Sequence, residues 1–327
     1  MTRFLREVAS SLAGLLTLLA VATSAFAQDY PSRPLMWVVP FPPGGPTDSH
    51  SRLITKVLSE KLGQTVVVEN KGGAGGIVGT EYVVNAKPDG YTILYASSGA
   101  MTIYQFLHKL SYDPAKSLTP VRGVSESPML LMVRADSQFK TLADLVTYAK
   151  KNPEKVNYAT LGAGSTNHII GEMLQADAKI KMTHIPYKGT APALADLLAG
   201  TVDLAFDLAV TMKEQIEAGK LRALAVSGSQ RLARLPDVPT FAEQGYPGVV
   251  LAVGGFVMVP AGTPQPVVDR LADALGEVMQ SPALVKYFED QGATSTASFA
   301  KQQLADFLAE KRVKVKAIIE SAGIKPD

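Results

Sequence analysis

The sequence predicts an α/β protein of two lobes, each a doubly wound sheet, joined by two strands that cross between the lobes. Its 327 residues exceed one ordinary domain and suit two that share a boundary. From residue 35 onward, short runs rich in β-branched residues alternate with amphipathic helical runs, which is typical of parallel sheets covered by helices. Two longer apolar runs, at residues 129–133 and 251–259, are predicted to be the crossing strands. One large doubly wound sheet is the alternative organisation.

The first lobe is predicted to start with three strands separated by two helices. The strands are predicted from LMWVVPF, TVVVEN and YTILYAS, and the helices from DSHSRLITKVLSEKLG and GIVGTEYVVNA. The first helical segment has apolar residues at helical spacing and ends in glycine, as many helices do. We assign residues 28–130 and 251–327 to this lobe; the second of these parts is mostly helical, from PQPVVDRLADAL to FAKQQLADFLAEKRVKVKAIIESAG.

The second lobe, residues 131–250, is predicted to be inserted into the first. Its elements alternate between helix and strand in the order TLADLVTYAKKNP, VNYATLG, NHIIGEMLQADA, MTHIPY, APALADLLAG, VDLAFD, TMKEQIEAGK and LRALAVSG. The hinge strands are expected near residues 124–133 and 250–259. Two strands shared between lobes would permit bending and limit other motions.

Composition excludes several classes of protein. The chain is 46% hydrophobic and 19% charged, so it can bury a core and is not a disordered chain. Its 32 basic and 30 acidic residues nearly balance, and no segment interleaves basic with aromatic residues, which argues against nucleic acid as a partner. There are no cysteines, so disulfides, thiol catalysis and cysteine-ligated metals are excluded.

The N-terminus predicts export. Arg3 and Arg6 precede an apolar run at residues 12–22, and the small-residue sequence AFA follows at residues 25–27. A basic head, an apolar segment and a small-x-small site are the parts of a secretory signal peptide, predicted here to be residues 1–27, with Gln28 as the new N-terminus. The apolar run is about half of the ~20 residues that a membrane-spanning helix needs, although an anchor is the alternative. The mature protein is therefore expected in the periplasm.

Two similar turns suggest an anion site. Residues 44–50 read GGPTDSH and residues 162–168 read GAGSTNH, and each follows a strand and precedes a helix. Aligned on glycine, residues 45–48 match residues 164–167. Ser, Thr, Asp and Asn are favoured helix N-caps, glycine permits close approach, and the unpaired N–H groups of a first helical turn attract anions. Each turn alone could be an ordinary well-capped turn, but one in each lobe would suit an anion with two poles.

A third turn and a strand end add candidates. Tyr187, Lys188 and Gly189 follow a strand, and Thr190 can cap the next helix. Lys188 either adds positive charge to the cleft or is simply exposed. Asp207 ends a strand, where it can accept a hydrogen bond from a ligand or cap the following helix.

Catalytic and cofactor motifs are not found. GGAGGIVG lacks the G-x-G-x-x-G spacing of a dinucleotide site, and neither a P-loop nor a G-x-S-x-G nucleophile elbow occurs. The four histidines are scattered, without a zinc-binding pair. His168, one turn into a helix, could bond a loop carbonyl, and we expect a structural role for it rather than a catalytic one. We predict no catalytic residue, metal or cofactor.

Several segments together resemble a known family. The segments YPSRPLMWVVPFPPGGPTD, VVVENKGGAGG, KPDGYTIL, LSYDP, GAGSTNH, HIPYKGTAPALADLLAG, AGKLRALAVSG, LPDVPTFAEQGYPG and VPAGTP occur in order over the mature chain. They resemble the Bug, or TctC-like tripartite tricarboxylate transporter, substrate-binding proteins. The resemblance implies a monomeric, type II-like periplasmic binding protein whose hinged cleft holds a carboxylate, partly through water. It also implies delivery to a membrane permease with a large and a small subunit, or signalling through a membrane sensor.

The resemblance also assigns the ligand-binding residues by position. They belong to the two loops, the third turn and the ends of two strands, together with the run GGFV: Phe41, Gly44, Gly45, Pro46, Thr47, Asp48, Ser97, Ser98, Gly162, Gly164, Ser165, Thr166, His168, Tyr187, Lys188, Gly189, Asp207 and Phe256.

Two departures from the family pattern bear on the ligand. Relatives commonly have an aromatic pair where this chain has GGFV at residues 254–257, and a polar run where it has DLAVTM. The first change removes bulk and the second removes polarity, so we expect a roomier, more apolar cleft and hypothesise an aromatic dicarboxylate such as terephthalate. Alternatively, the glycines relax the hinge strand. An enzyme acting on a carboxylate is a further alternative.

Overall fold

The computed structural model describes residues 30–324. The predicted signal peptide lies outside the described residues. The strands of the described part are β1 (Leu35–Val39), β2 (Val66–Asn70), β3 (Thr92–Ser97), β4 (Leu118–Arg134), β5 (Asn157–Thr160), β6 (Thr183–Pro186), β7 (Leu204–Leu208), β8 (Leu221–Val226), β9 (Ala252–Pro260) and β10 (Thr294–Ser295).

The helices cover the faces of these strands. The α-helices are α1 (Pro46–Leu62), α2 (Ile77–Val84), α3 (Leu142–Lys151), α4 (Thr166–Ala178), α5 (Thr190–Ala199), α6 (Ala209–Glu217), α7 (Gln265–Met279), α8 (Pro282–Asp290) and α9 (Gln302–Ser321). A π-helix spans Gly99–Ile103, and short 3₁₀ turns span Ala74–Gly76, Tyr104–Phe106 and Ala242–Gln244.

The strands follow the order β2-β1-β3-β9-β4-β7-β5-β6, with β8 and β10 also paired to β4. Strands β1, β2 and β3 are parallel to each other, as are β5, β6 and β7. Each parallel group is covered by helices and has its own buried clusters, around Trp37 and Leu58 in lobe 1 and around Tyr158 and Phe241 in lobe 2. The predicted two-lobed α/β architecture is confirmed.

Strand β4 is the first crossing between the lobes. Its residues 118–128 pair with β9 in lobe 1, and its residues 129–134 pair with β7 and β8 in lobe 2. Among residues 30–324, strand β9 pairs only with β3 and β4, so it is not itself a strand shared between the lobes. The second crossing is the segment just before β9, because Leu251 N–H donates to the carbonyl of Ser227 across 3.0 Å, at the lobe 2 end of the hinge.

Helix α9 adds a third connection that the sequence analysis did not anticipate. Leu304 and Leu308 in its first half pack in a lobe 1 cluster, whereas Val315 and Ile319 in its second half pack with lobe 2 residues. An amphipathic helix of 20 residues is long enough to lie across both lobes. Assigning all of residues 251–327 to lobe 1 therefore does not describe the second half of α9; the other lobe boundaries stay a prediction.

The two lobes repeat one arrangement about the hinge. Counting outward from the hinge, lobe 1 presents β3, β1 and β2, and lobe 2 presents β7, β5 and β6. In both lobes a helix follows each of these strands. The two similar turns of the sequence follow β1 and β5, which hold equivalent places, so the repetition reflects the equivalent topology of the lobes.

Candidate ligand-binding site

The carboxyl ends of both parallel strand groups meet at the hinge. Ser97, at the end of β3, lies opposite Gly255, which in turn lies opposite Ser125 of β4. Leu208, at the end of β7, lies opposite Met129, four residues further along β4. Helices begin at these strand ends, so their first turns in lobe 1 and lobe 2 border the same cleft. Open α/β sheets bind ligands at this kind of edge.

The first loop of the site, residues 41–48, leads from β1 into α1. Gly45 is the N-cap of α1 and Pro46 occupies its first turn. Gly44 has a φ of +88°, and its N–H donates to the Asp48 carboxylate across 3.0 Å. The proline has no N–H, but the backbone N–H groups of Thr47 and Asp48 face no acceptor within residues 30–324. These two groups are free to bind an anion.

The Asp48 side chain holds the first loop in place through hydrogen bonds. Its side chain is buried and accepts from Arg52 Nε at 2.9 Å and from Asn70 Nδ2 at 3.0 Å. The hydrogen bond from Arg52, with those from Gly44 and Asn70, lowers the pKa of the Asp48 carboxyl to about 2. Asn70 Nδ2 also donates to the carbonyl of Phe41 across 3.1 Å. Asp48 therefore holds the loop as an ionised carboxylate, with its oxygens already hydrogen-bonded.

The second loop, residues 162–168, leads from β5 into α4. Ser165 is the N-cap, and its Oγ donates to the Gly162 carbonyl across 2.7 Å. Gly164 has a φ of +72°, and its N–H donates to His168 Nδ1 across 3.0 Å. The backbone N–H groups of Thr166 and the following Asn167 have no acceptor in the described chain. This loop also offers two free amides to an anion.

The equivalent positions of the two loops differ by one residue from those that the sequence alignment suggested. Gly44 matches Gly164, and Asp48 matches His168, because each glycine N–H donates to the side chain four residues later. The sequence alignment, which paired Gly45 with Gly164, was therefore wrong by one position. Pro46 favours the first helical turn, so α1 begins directly after Gly45, which is its N-cap. In α4 the N-cap is Ser165, which stands between Gly164 and the first helical residue.

Asp207 acts inside lobe 2. One carboxylate oxygen accepts from the Leu208 N–H at 2.7 Å and the other from Thr190 Oγ1 at 3.0 Å. The side chain is buried, and burial raises the pKa of its carboxyl. These contacts join the starts of α5 and α6, but the Asp207 side chain makes no N-cap hydrogen bond to α6.

In the third turn, the lysine side chain is exposed and the tyrosine side chain is hydrogen-bonded within lobe 2. Tyr187 OH donates to Asp196 across 2.7 Å, within α5. Lys188 is exposed, and its ammonium has no carboxylate partner in residues 30–324. Gly189 precedes α5 without a side-chain cap. Lys188 is thus a free positive charge beside the carboxyl end of β6.

Three of the residues assigned by resemblance serve lobe 1 internally. Ser97 Oγ accepts from the Ala100 N–H at 3.3 Å, and Ser98 Oγ accepts from the Gly254 N–H at 3.0 Å. Ser98 is buried, and Phe256 is fully buried among lobe 1 side chains, with its ring 6.3 Å from that of Phe307. Phe256 does not reach the cleft surface.

The glycines at 254 and 255 do not open space in the cleft. A Cβ on Gly254 would lie 2.6 Å from the Phe256 ring, and one on Gly255 would lie 2.1 Å from the Tyr95 hydroxyl. Both volumes are already filled by aromatic side chains of this chain. The expectation of a roomier cleft from this run was therefore wrong.

A segment that no sequence pattern predicted, residues 104–107, reaches from lobe 1 to the second loop. The ring of Tyr104 lies 2.8 Å from where a Cβ of Gly99 would be, and its hydroxyl 3.2 Å from that of Gly75. Leu107 is buried, with Cδ1 only 2.0 Å from the position of a Cβ on Gly164. Glycines in this region are compatible with close packing, but a glycine in the sequence does not identify the residue that packs against it.

Exposed aliphatic side chains accompany the free amides. Val78 in the first turn of α2 is 48% exposed, Leu161 after β5 is 41% exposed, and Val210 in the first turn of α6 is 36% exposed. All three follow carboxyl ends of parallel strands. The same edge thus offers hydrogen-bond donors and apolar surface.

Residues 30–324 contain neither a candidate metal cluster nor a candidate membrane-spanning helix. No cluster of three or more histidine, cysteine, aspartate or glutamate side chains there could hold a metal ion. No helix between residues 30 and 324 combines the length and apolar character that crossing a bilayer requires.

Comparison with known proteins places this architecture among binding proteins. The family model of the tripartite tricarboxylate transporter family receptor matches residues 51–324, starting just after the first loop. BugT of Bordetella pertussis is 36% identical over 307 residues, covering 93% of this chain and 94% of BugT.

Two solved structures extend the similarity to the fold. The periplasmic binding protein BugD is 38% identical with a TM-score of 0.74, covering 91% of this chain and all of BugD. Rpa4515 of R. palustris, solved with adipate, is 33% identical with a TM-score of 0.78 and the same coverage of this chain.

Proposed function

The chain belongs to the tripartite tricarboxylate transporter receptor family, and from that premise we propose that it captures a small dicarboxylate in the cleft between its lobes. The ligand bridges the first turn of α1 in lobe 1 and that of α4 in lobe 2. Proteins of this family are solute-binding receptors, and the proposed role is capture and release without chemical change.

One observation carries the proposal: each lobe presents two free backbone amides at equivalent helix starts. They belong to Thr47 and Asp48 in lobe 1 and to Thr166 and Asn167 in lobe 2. The hydroxyls of Thr47 and Thr166 also lack partners within residues 30–324, so they can donate as well. Two separated donor groups favour a ligand with two anionic ends.

The magnitudes are adequate for capture. Burying an unpaired carboxylate costs several kcal/mol, and a helix end recovers about 0.3–1 kcal/mol, or ~2 when partly buried. Hydrogen bonds to a charged group add about 1.5–3 kcal/mol each. Micromolar affinity needs about 8 kcal/mol net, which several such bonds can supply.

Apolar surface accompanies the donors of lobe 2. Leu161 and Val210 there would contact the hydrocarbon part of a dicarboxylate, and adipate is the ligand in the similar Rpa4515 structure. Terephthalate is the second candidate, but its main support was extra space beside residues 254 and 255. Because the Tyr95 and Phe256 rings fill that space, we favour an aliphatic dicarboxylate over an aromatic one.

Ligand capture is proposed to close the lobes about the hinge. Ser227 is fully buried there: its N–H donates to the Met129 carbonyl across 2.8 Å, and its Oγ donates to the Leu251 carbonyl across 2.6 Å. The hydroxyl thus ties both crossings together. Closure follows only if the ligand binds the closed form better than the open one.

The partner proposed to receive the ligand is a membrane permease of the tripartite tricarboxylate type, with a large and a small subunit. The family description and the periplasmic assignment of BugD support this role, and with it a periplasmic location after cleavage behind Ala27. A membrane signalling protein is the alternative partner, since it would use the same cleft. Affinity purification with the full chain distinguishes the two by the protein that is captured.

Calorimetry with a ligand panel tests the proposed function. We expect adipate to bind with micromolar or better affinity, to bind more tightly than citrate, glutamate or terephthalate, and to be recovered unchanged. Thr47→Ala and Thr166→Ala should each weaken adipate binding by about tenfold, since each removes a hydrogen bond to a charged group. Thr65→Ala, at an exposed position before β2, is the matched control and should bind normally. Tightest binding of terephthalate would restore the aromatic candidate, and chemical conversion of any ligand would favour an enzyme.

A further inference from the structure

Two of the four histidines lie face to face beneath the second loop. His168 is in the first turn of α4 and His184 is in β6. Their ring centroids are 4.1 Å apart and their planes differ by 14°. His168 is buried and His184 is half-buried. Imidazoles stacked this closely are compatible only with at most one positive charge between them, since two would repel.

Hydrogen bonds connect the two rings to opposite ends of the loop. His168 Nδ1 accepts the N–H of Gly164 at 3.0 Å. His184 Nε2 is hydrogen-bonded to Thr160 Oγ1, and that hydroxyl oxygen accepts the N–H of Gly162 at 3.2 Å. The loop is therefore closed beneath by a continuous path from Gly162 to Gly164 through three side chains.

The hydrogen-bond geometry fixes the proton of His168 but not that of His184. His168 accepts at Nδ1, so its proton is on Nε2, which lies 3.5 Å from a Glu172 oxygen. Thr160 Oγ1 accepts from Gly162 and shares a second hydrogen bond with Nε2 of His184, in which either atom can be the donor, depending on the tautomer of His184.

We propose that Thr160 and His184 are positioning residues that hold the second loop in its anion-binding conformation. Gly162 and Gly164 both have positive φ, at +106° and +72°, so the loop owes little rigidity to its own backbone preferences. The path through Thr160, His184 and His168 fixes the glycine N–H groups, and so orients the free amides of Thr166 and Asn167. A loop ordered in advance binds more tightly because less freedom is lost on binding. The inference rests on the proposed function for its ligand.

The surroundings disfavour a positive charge on His184. The charged group facing the pair is Glu172 on α4; β5 contributes Tyr158, whose hydroxyl donates to Glu172 across 2.6 Å. Burial, followed by the neighbouring His168, lowers the pKa of His184 to about 4.

Binding measurements with adipate as the probe test the inference. Thr160→Val keeps the shape of the side chain but removes its hydroxyl, and it should weaken adipate binding at least about tenfold while the melting temperature stays near that of the wild type. His184→Ala should have at least the same effect. The matched control is His50→Phe, which changes another half-buried imidazole, in lobe 1, and should leave adipate affinity unchanged. If Thr160→Val binds adipate like the wild type, the inference fails.

Nitrogen-15 NMR of the ligand-free protein reports which imidazole nitrogens carry protons. This observable does not respond to a general loss of stability, so it separates the proposed positioning role from a purely structural one. The wild type should show His168 with its proton on Nε2, and Thr160→Val should change the titration of His184, because His184 Nε2 loses its hydrogen-bond partner. Finding the His168 proton on Nδ1 would overturn the inference. This measurement needs no ligand. If the wild type bound no dicarboxylate, the proposed function would be wrong, and NMR alone would still test the hydrogen-bonded path through the two histidines.

Discussion

The two loops of the site share one backbone design and differ in the side chain beneath it. In the first loop, Gly44 donates its N–H to Asp48; in the second, Gly164 donates its N–H to His168. Asp48 is an ionised carboxylate paired with Arg52, whereas His168 is an imidazole stacked on His184. The same turn can therefore be held by a charged or an uncharged acceptor.

The difference matters for the ligand. A fixed carboxylate in the first turn of α1 interacts favourably with the positive helix end, and so offsets part of the attraction that a ligand anion would feel there. No carboxylate takes that position in α4, where the acceptor is His168. We therefore expect the second loop to hold the ligand carboxylate more strongly than the first.

The largest expected effect comes from adding a methyl group to the equivalent glycines. Both have positive φ, so alanine at either position costs about 1–2 kcal/mol. A Cβ on Gly44 meets nothing within 4 Å, but one on Gly164 lies 2.0 Å from Leu107 Cδ1. Displacing a buried leucine adds about 1–3 kcal/mol, so Gly164→Ala should lower the free energy of unfolding by about 3 kcal/mol in total and Gly44→Ala by about 1–2 kcal/mol.

Urea denaturation of both variants measures this difference. Gly44→Ala is the matched control, because its backbone conformation is the same and only its surroundings differ. Equal losses of stability would mean that Leu107 yields without cost, and would remove the packing of residues 104–107 on the second loop as a distinguishing feature.

A smaller effect is expected from exchanging the acceptors. His168→Asp gives the second loop the acceptor of the first, but adds a negative charge near Glu172 and beneath the proposed anion site. His168→Asn keeps an uncharged acceptor for Gly164. We expect adipate affinity to fall by at least about tenfold more in His168→Asp than in His168→Asn, measured by calorimetry. Equal affinities would show that charge at this position does not influence the ligand.

Much of this comparison could be predicted from the sequence, because it depends on local patterns. Alternating strands and helices predicted two α/β lobes, and the turns at residues 44–50 and 162–168 predicted equivalent helix starts. Glycine, serine and threonine at a strand end have local preferences for turns and helix N-caps, and these preferences are realised in the fold.

The rest depended on contacts between distant residues. The register of the two loops shifted by one because capping by Ser165 and the first-turn proline Pro46 place the helix starts differently relative to glycine. His184 is 16 positions from His168 in sequence and gave no pattern; the pairing of β5 with β6 brings its ring beneath the loop. The volumes beside Gly254 and Gly255 were filled by Tyr95 and Phe256, which no local pattern predicts.

The smallest expected effect is on the pH dependence of stability, and it involves one half-buried imidazole in each lobe. Burial lowers the pKa of His50 in lobe 1 to about 4, and burial together with His168 does the same for His184 in lobe 2. An unfolded histidine takes up a proton near pH 6.5, so between about pH 6.5 and 4 the unfolded chain binds more protons and stability falls as the pH falls. Each histidine should account for about 1 kcal/mol of that loss, allowing for solvent screening. His50→Phe and His184→Phe should therefore each flatten the pH dependence of the unfolding free energy within this window, His50→Phe without affecting the second loop. An unchanged slope in both variants would mean that neither imidazole is kept neutral by the fold, and the uncharged character of the second loop would need another cause.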